Sequence, residues 1–144
     1  MTVYRAEFND VPEAARLSVL LWPENDPAEV ERAFEELIQH EDAVLFLADD
    51  GKPVGFAQCQ LRHDYVEGTD SSPVGYLEGI YVAEGYRNKG CARALLEACE
   101  EWAKAKGCAE FASDCELTND RSLAFHLSVG FEEANRIICF TKQL

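Results

Sequence analysis

The segment Arg87-Asn88-Lys89-Gly90-Cys91-Ala92-Arg93 sets three positive charges into seven residues of a chain whose overall balance is strongly negative. It lies between a run of strand character and the longest helical pattern in the sequence. A helix N-terminus presents free backbone N–H groups and the positive end of its dipole, so this junction suits a bound anion such as a pyrophosphate. Gly90 lets the backbone approach such a ligand closely, and small Ala92 keeps the first helical turn open. Neither GxxxxGK[ST] nor GxGxxG is present, and a plain glycine turn opening a surface helix is the competing reading.

Two carboxylates stand out for the opposite reason. Tyr76-Leu77-Glu78-Gly79-Ile80-Tyr81-Val82 is apolar on both faces except at Glu78. An unpaired buried carboxylate is costly, so Glu78 is either functional or paired with an arginine. Gly79 beside it suits a bulge that splays this strand from its neighbour. Asp114 ends the short strand Phe111-Ala112-Ser113, an edge where ligands bind in open α/β sheets; a capping acid before the next helix is the alternative. Trp22 closes a helix next to Pro23 and the acidic Glu24-Asn25-Asp26, and reads either as helix packing or as a platform for a sugar face. Tyr65 enters a polar loop that also holds Asp64, Glu67 and Asp70. The six cysteines (59, 91, 99, 108, 115, 139) form no CxxC pair and have no histidine at zinc spacing. They read as thiols in a reducing cytoplasm, with no metal and no nucleophile–base partnership.

Lys and Arg number 13 against 27 Asp and Glu, a net charge of −14. Such a chain lacks the basic footprint that general nucleic-acid binding needs, and attraction to an anionic membrane is disfavoured for the same reason. A cationic small molecule would be drawn in. No basic region followed by an apolar stretch opens the sequence, and no run of about 18 apolar residues occurs, so a soluble, cytoplasmic protein is expected.

The elements that must position these residues follow from periodicity. Val3–Glu7 reads as a strand, Pro12 to Leu21 as a helix stopped by Trp22-Pro23, and a second helix starts at Asp26-Pro27 and turns Val30, Phe34, Leu37 and Ile38 inward. Ala43–Ala48 and Val54–Leu61 flank the turn Asp49-Asp50-Gly51 as a hairpin. After the loop 63–73, Val74–Val82 is a strand, followed by the helix carrying Leu95, Leu96, Cys99 and Trp102 and ending at Gly107. Glu110–Ser113 is a short strand, Asn119–Ser128 a helix closed by Gly130, and Phe131 opens a last strand through Ile137, Ile138, Cys139 and Phe140. The whole is one mixed α/β domain over residues 1–144.

With these residues in place, the chain resembles the GCN5-related N-acetyltransferase (GNAT) family. Tyr86-Arg87-Asn88-Lys89-Gly90-Cys91-Ala92 is similar to that family's Q/R-x-x-G-x-G/A signature, with Ala92 at the second glycine. Ala124-Phe125-His126 through Gly130-Phe131 is similar to its closing helix and strand. The resemblance implies the acyl-CoA N-acyltransferase fold, a mostly antiparallel mixed sheet with a splayed central strand pair and flanking helices. It also implies acetyl-CoA as co-substrate. Ile80, Tyr81 and Val82 would then line the pantetheine arm, and Arg87, Asn88, Lys89, Gly90, Cys91, Ala92 and Arg93 the phosphates. His126 stands where many members carry a tyrosine that protonates the leaving thiolate; a packed helix histidine is the other reading.

A narrower resemblance, to the small dimeric aminoglycoside 6′-N-acetyltransferases, rests on Leu21-Trp22-Pro23, Leu61 to Tyr65, Asp70 to Pro73, Leu77 to Ile80 and Ala112 to Asp114. It implies that Trp22, Tyr65, Glu78 and Asp114 line the aminoglycoside site, that Asn119 contacts the coenzyme arm or simply caps its helix, and that a homodimer forms. Asn135 stands at a substrate contact where relatives tend to carry an acid. Glu78 would act as base, directly or through water, in a direct attack by the bound amine, with Asp114 orienting the ammonium groups. Another amine acceptor (a polyamine, an amino acid or a protein N-terminus) and a non-catalytic acyl-CoA-binding module are the alternatives.

Overall fold

The computed structural model describes all 144 residues. Five strands form one sheet in sequence order: β1 (Thr2–Arg5), β2 (Ala43–Asp49), β3 (Pro53–Arg62), β4 (Val74–Val82) and β5 (Phe111–Ser113). All neighbours are antiparallel except β4 and β5, which are parallel and joined through a helix. The helices are α1 (Val11–Leu21), α2 (Pro27–Leu37), α3 (Cys91–Ala105) and α4 (Asp120–Ser128), with a short 3₁₀ turn at Phe8–Asp10.

Local chemistry sets the helix ends. Prolines occupy the first turns of α1 and α2, where no N–H partner is lost. Gly107 and Gly130, at φ +91° and +100°, follow the last residues of α3 and α4 in the left-handed conformation that ends a helix. The two sheet faces then bury different helices. Val11, Leu17 and Phe34 of α1 and α2 pack on Leu45, Leu47 and Phe56. Leu95, Leu96, Cys99 and Trp102 of α3 pack on Val44, Ala57, Cys59 and Leu77 of the other face. Gly55 permits that approach, since a Cβ there would stand 3.2 Å from Leu95 Cδ1.

The expected elements are present within a residue or two, with one exception. Residues 131–144 form no strand, and Ile137, Ile138 and Phe140 are 68%, 79% and 87% exposed. Only Phe131 at the start of this stretch packs inward, 6.1 Å from the Phe111 ring. An apolar run has strand character by its own propensity, but a strand exists only where an edge is free to pair with it. Within this chain the tail pairs with no strand, although β5 leaves its outer edge open.

Candidate active site

Strand β4 organises the site. Its register with β3 runs Gln58 to Gly79 and then Cys59 to Leu77, which leaves Glu78 as the extra residue of a bulge. The bulge changes the parity of the strand. Val74 and Tyr76 before it, and Gly79 and Tyr81 after it, lie across from Arg62, Gln60, Gln58 and Phe56, so all eight face the α1–α2 layer. Pairing with β5 covers only Gly75, Tyr76 and Leu77. From Glu78 to Val82 the other edge of β4 is unpaired, which is the splaying expected at Gly79. A row of unpaired peptide groups can accept another extended chain.

The basic loop begins where that edge ends. Gly85, Asn88 and Gly90 take φ of +90°, +61° and +83°, left-handed conformations that turn the chain tightly into α3. No side chain caps α3, and the space where Cβ atoms of Gly85 and Gly90 would project is open. The first N–H groups of α3 are therefore available to an anion. Cys91 contributes backbone alone, because its side chain is buried against α3's own core. Arg87 Nε donates to the Val82 carbonyl at 2.7 Å, and Arg93 Nη2 donates to Ser128 O at 3.2 Å, tying α3 to the end of α4. Both arginines thus brace the cradle, and Lys89, whose Nζ lies 5.8 Å from the Tyr86 ring centroid, is its exposed charge.

At the bulge Glu78 is paired, as one of its two readings required, and the partner is Arg62. Arg62 Nε and Nη2 donate to Glu78 Oε1 at 3.0 and 2.7 Å, and Nη2 also reaches Oε2 at 2.8 Å. The guanidinium lies 3.4 Å from the Tyr76 ring centroid, and the Tyr76 hydroxyl donates to Asp114 Oδ2. Burial, with the Asp114 hydrogen bond adding to it, pushes the Tyr76 phenol well above its ordinary value, so it stays a donor. Glu78 and Asp114 are therefore joined through Arg62 and Tyr76, two residues whose roles were not legible in the sequence.

Trp22 reaches the same place from α1. Its indole packs edge-on against Phe56, centroids 6.3 Å apart, and covers Gly79, where an added Cβ would sit 2.9 Å from Cζ2 and closer still to Cη2. The helix-packing and platform readings of Trp22 are compatible here, since the ring is only half-buried. Tyr65 is 78% exposed. Its hydroxyl donates to Glu67 Oε2 at 3.3 Å, and Asn135 Nδ2 donates to Glu67 Oε1 at 3.1 Å. Glu67 thus gathers Tyr65 and Asn135 into one cluster, which no hydrogen bond connects to the Glu78–Asp114 group. Asn119 caps α4, its Oδ1 accepting from Ser122 N–H at 3.0 Å. His126 is half-buried: Nδ1 lies 2.6 Å from the Ser122 carbonyl and Nε2 2.8 Å from Ser113 Oγ. A carbonyl only accepts, so Nδ1 carries the proton and Nε2 faces the Ser113 hydroxyl.

An uncapped helix start, a free strand edge and a paired carboxylate thus meet along one strand, an arrangement open to an extended anionic ligand. Residues 11–131 match the Acetyltransferase (GNAT) family model, and the chain belongs to that family. Among curated proteins it is 43% identical over 144 residues to aminoglycoside N(6′)-acetyltransferase type 1 of Stenotrophomonas maltophilia, covering 99% of this chain and 94% of that one. It is 41% identical over 130 residues to the protein of the same name from Serratia marcescens, covering 89% of each. Among solved structures, AAC(6′)-Iy in complex with the bisubstrate analogue CoA-S-monomethyl-acetylneamine superposes with a TM-score of 0.95 at 36% identity, over 99% of this chain and 98% of that one. The aminoglycoside 6′-N-acetyltransferase AAC(6′)-Ih from Acinetobacter baumannii gives 0.93 at 33% identity, over 99% and 98% of the two chains.

Proposed function

We propose that this protein transfers an acetyl group from acetyl-CoA to the 6′-amine of aminoglycosides, as the names of its relatives say of them. The observation that carries the reading is the layout of β4. Glu78 stands at its bulge, the free edge follows directly, and the basic loop opens where that edge ends. Acetyl-CoA supplies the activated acyl thioester. Ile80, Tyr81 and Val82 hold its pantetheine arm along the free edge, with Asn119 beside it. The N–H groups of residues 88–93, with Lys89, Arg87 and Arg93, receive the phosphates.

On the acceptor side, Trp22 offers an apolar wall to the sugar, while Asp114, Tyr65 and Asn135 hold its amines and hydroxyls. The neutral amine nitrogen bonds to the thioester carbonyl carbon as the C–S bond breaks, and the proton this nitrogen sheds on forming the amide leaves with coenzyme A as its thiol. Glu78 takes the proton the ammonium group must lose, directly or through one water. Holding amine and carbonyl together is worth at most ~7–11 kcal/mol of barrier, and N–H groups beside the bulge are placed to steady the developing oxyanion. No step needs a metal or a covalent enzyme intermediate.

Two further features belong to the same proposal. The exposed tail side chains Ile137, Ile138 and Phe140 are an apolar surface that a second copy would cover, so the working form is a homodimer. Its place is the cytoplasm, consistent with six free cysteines. The test is thiol release from acetyl-CoA with aminoglycosides, spermidine and peptides offered separately. Release with aminoglycosides alone supports the proposal. Release with spermidine or peptides alone replaces the acceptor, and no release with any of them replaces catalysis by acyl-CoA binding.

A further inference from the structure

Arg62 is the last residue of β3 and stands opposite Val74, four residues from Glu78 along β4. It nevertheless reaches back across the Tyr76 ring to take both oxygens of Glu78. The acceptor site therefore carries its own cation. We propose that Arg62 is a specificity filter: its guanidinium holds the place of an acceptor ammonium group on Glu78, and only an acceptor carrying several positive charges displaces it. The acceptor class in this inference rests on the aminoglycoside reading above.

Three observations carry it. The first is charge. Glu78 and Asp114 contribute two negative charges, Arg62 returns one, and Tyr76 keeps its proton as the donor to Asp114. An incoming amine meets a site already half neutralised. The second is geometry. A guanidinium fork across a carboxylate makes parallel charge-assisted hydrogen bonds that a single ammonium group cannot match. One amine alone does not compete. An acceptor with several amines gains elsewhere at once, because Tyr76 engages only Oδ2 of Asp114 and the adjacent loop carries Asp64, Glu67 and Asp70. The third is mobility. The Arg62 side chain is 43% exposed against 19% for Glu78. It is anchored at a strand end where an exposed loop begins, so its swing into solvent gives up the Glu78 bonds and the stacking on Tyr76 and leaves the strand in place.

The test is Arg62→Met beside Arg62→Lys, read by calorimetric Kd and by KM and kcat. The acceptors are a four-amine aminoglycoside, spermidine and the monoamine sugar glucosamine. Removing the internal cation tightens every cationic acceptor, by about ten-fold for the aminoglycoside. Glucosamine gains more, so the ratio of the two Kd values narrows by a further factor of about ten. The effect appears in Kd and KM, and Arg62→Lys lies between wild type and Arg62→Met. An unchanged ratio, or weaker binding of all three with a fall in kcat, overturns the inference and leaves Arg62 as a brace for Glu78. Calorimetry reads the ratio whether or not thiol is released, so failure of the aminoglycoside reading is seen separately.

Discussion

Adding one methyl group at Gly79 separates two opposing effects of known sign. Gly79 is not among the glycines with positive φ, so alanine is conformationally acceptable. On backbone grounds alone, Gly79→Ala would stabilise the protein by roughly 0.4–1 kcal/mol through the unfolded chain. The new Cβ, however, would sit 2.9 Å from Trp22 Cζ2 and closer to Cη2. Carbon atoms in contact lie about 3.5–4.0 Å apart, so the indole must retreat by more than about 1 Å. Its retreat is opposed by Phe56, against which it packs edge-on at 6.3 Å, and Phe56 is fully buried. Overpacking of this kind costs about 1–3 kcal/mol, which outweighs the backbone gain. Net of the backbone gain the loss is at most about 2.6 kcal/mol; for a chain of this length each kcal/mol corresponds to about 4 °C in Tm, so a fall of up to about 10 °C is expected in a circular-dichroism melt. Because a misplacement of about 1 Å costs up to ~100-fold in a positioned reaction, kcat/KM for the acceptor should fall well beyond the change in acetyl-CoA KM. A Tm that rises, together with unchanged acceptor kinetics, would refute the seating of Trp22 on Gly79 and with it the Trp22 wall of the acceptor site.

Other outcomes follow from the same geometry. Glu78→Gln should lower kcat by about 100-fold while leaving acetyl-CoA affinity nearly unchanged; an undiminished rate removes Glu78 from proton transfer. Gly90→Ala meets no neighbour but forces a side chain into φ +83°. It should cost about 1 kcal/mol and raise KM for acetyl-CoA, not for the acceptor, in steady-state kinetics. Glu110 accepts from the Ser71 hydroxyl and from Asp70 N–H at 2.9 Å, and those bonds, the Ser71 one first, hold its carboxyl below the ordinary value of 4.5. A depressed carboxyl stabilises above its unfolded value and loses that contribution as pH falls through the folded one. Protection of the Asp70 amide against hydrogen exchange should therefore persist at neutral pH, fade in acid, and be absent at all pH values in Glu110→Ala, which has no acceptor.

The parts of this molecule legible in its sequence are those decided locally. Val74–Val82 was bounded by Pro73 and by the turn chemistry that follows, and Gly107 and Gly130 marked the ends of α3 and α4 because only a left-handed residue closes a helix so. The bulge was signalled by a glycine beside a lone carboxylate. Non-local partners were not legible. An arginine for Glu78 was anticipated as a type, but Arg62 lies across an eleven-residue loop, and the Tyr76–Asp114 bond joins positions 38 apart. Nothing in spacing distinguishes them from other pairs. The tail misled for a related reason: Ile137–Phe140 has strand propensity, and propensity is silent on which edge is free to receive it. The asparagine at 119 carried both a capping and a ligand reading, and the structure uses its Oδ1 for the cap while leaving its amide nitrogen free of hydrogen bonds to the protein.

The central claim is that β4 aligns an acetyl donor on its free edge with a sugar amine at Glu78. It is tested most directly by a matched pair of aminoglycosides that differ only at the 6′ position. The account predicts thiol release from acetyl-CoA with the 6′-amine, one acetyl group located on that nitrogen by mass spectrometry, and no stimulated release with the 6′-hydroxyl compound. Equal release with both, or acetylation at any other nitrogen, would contradict it.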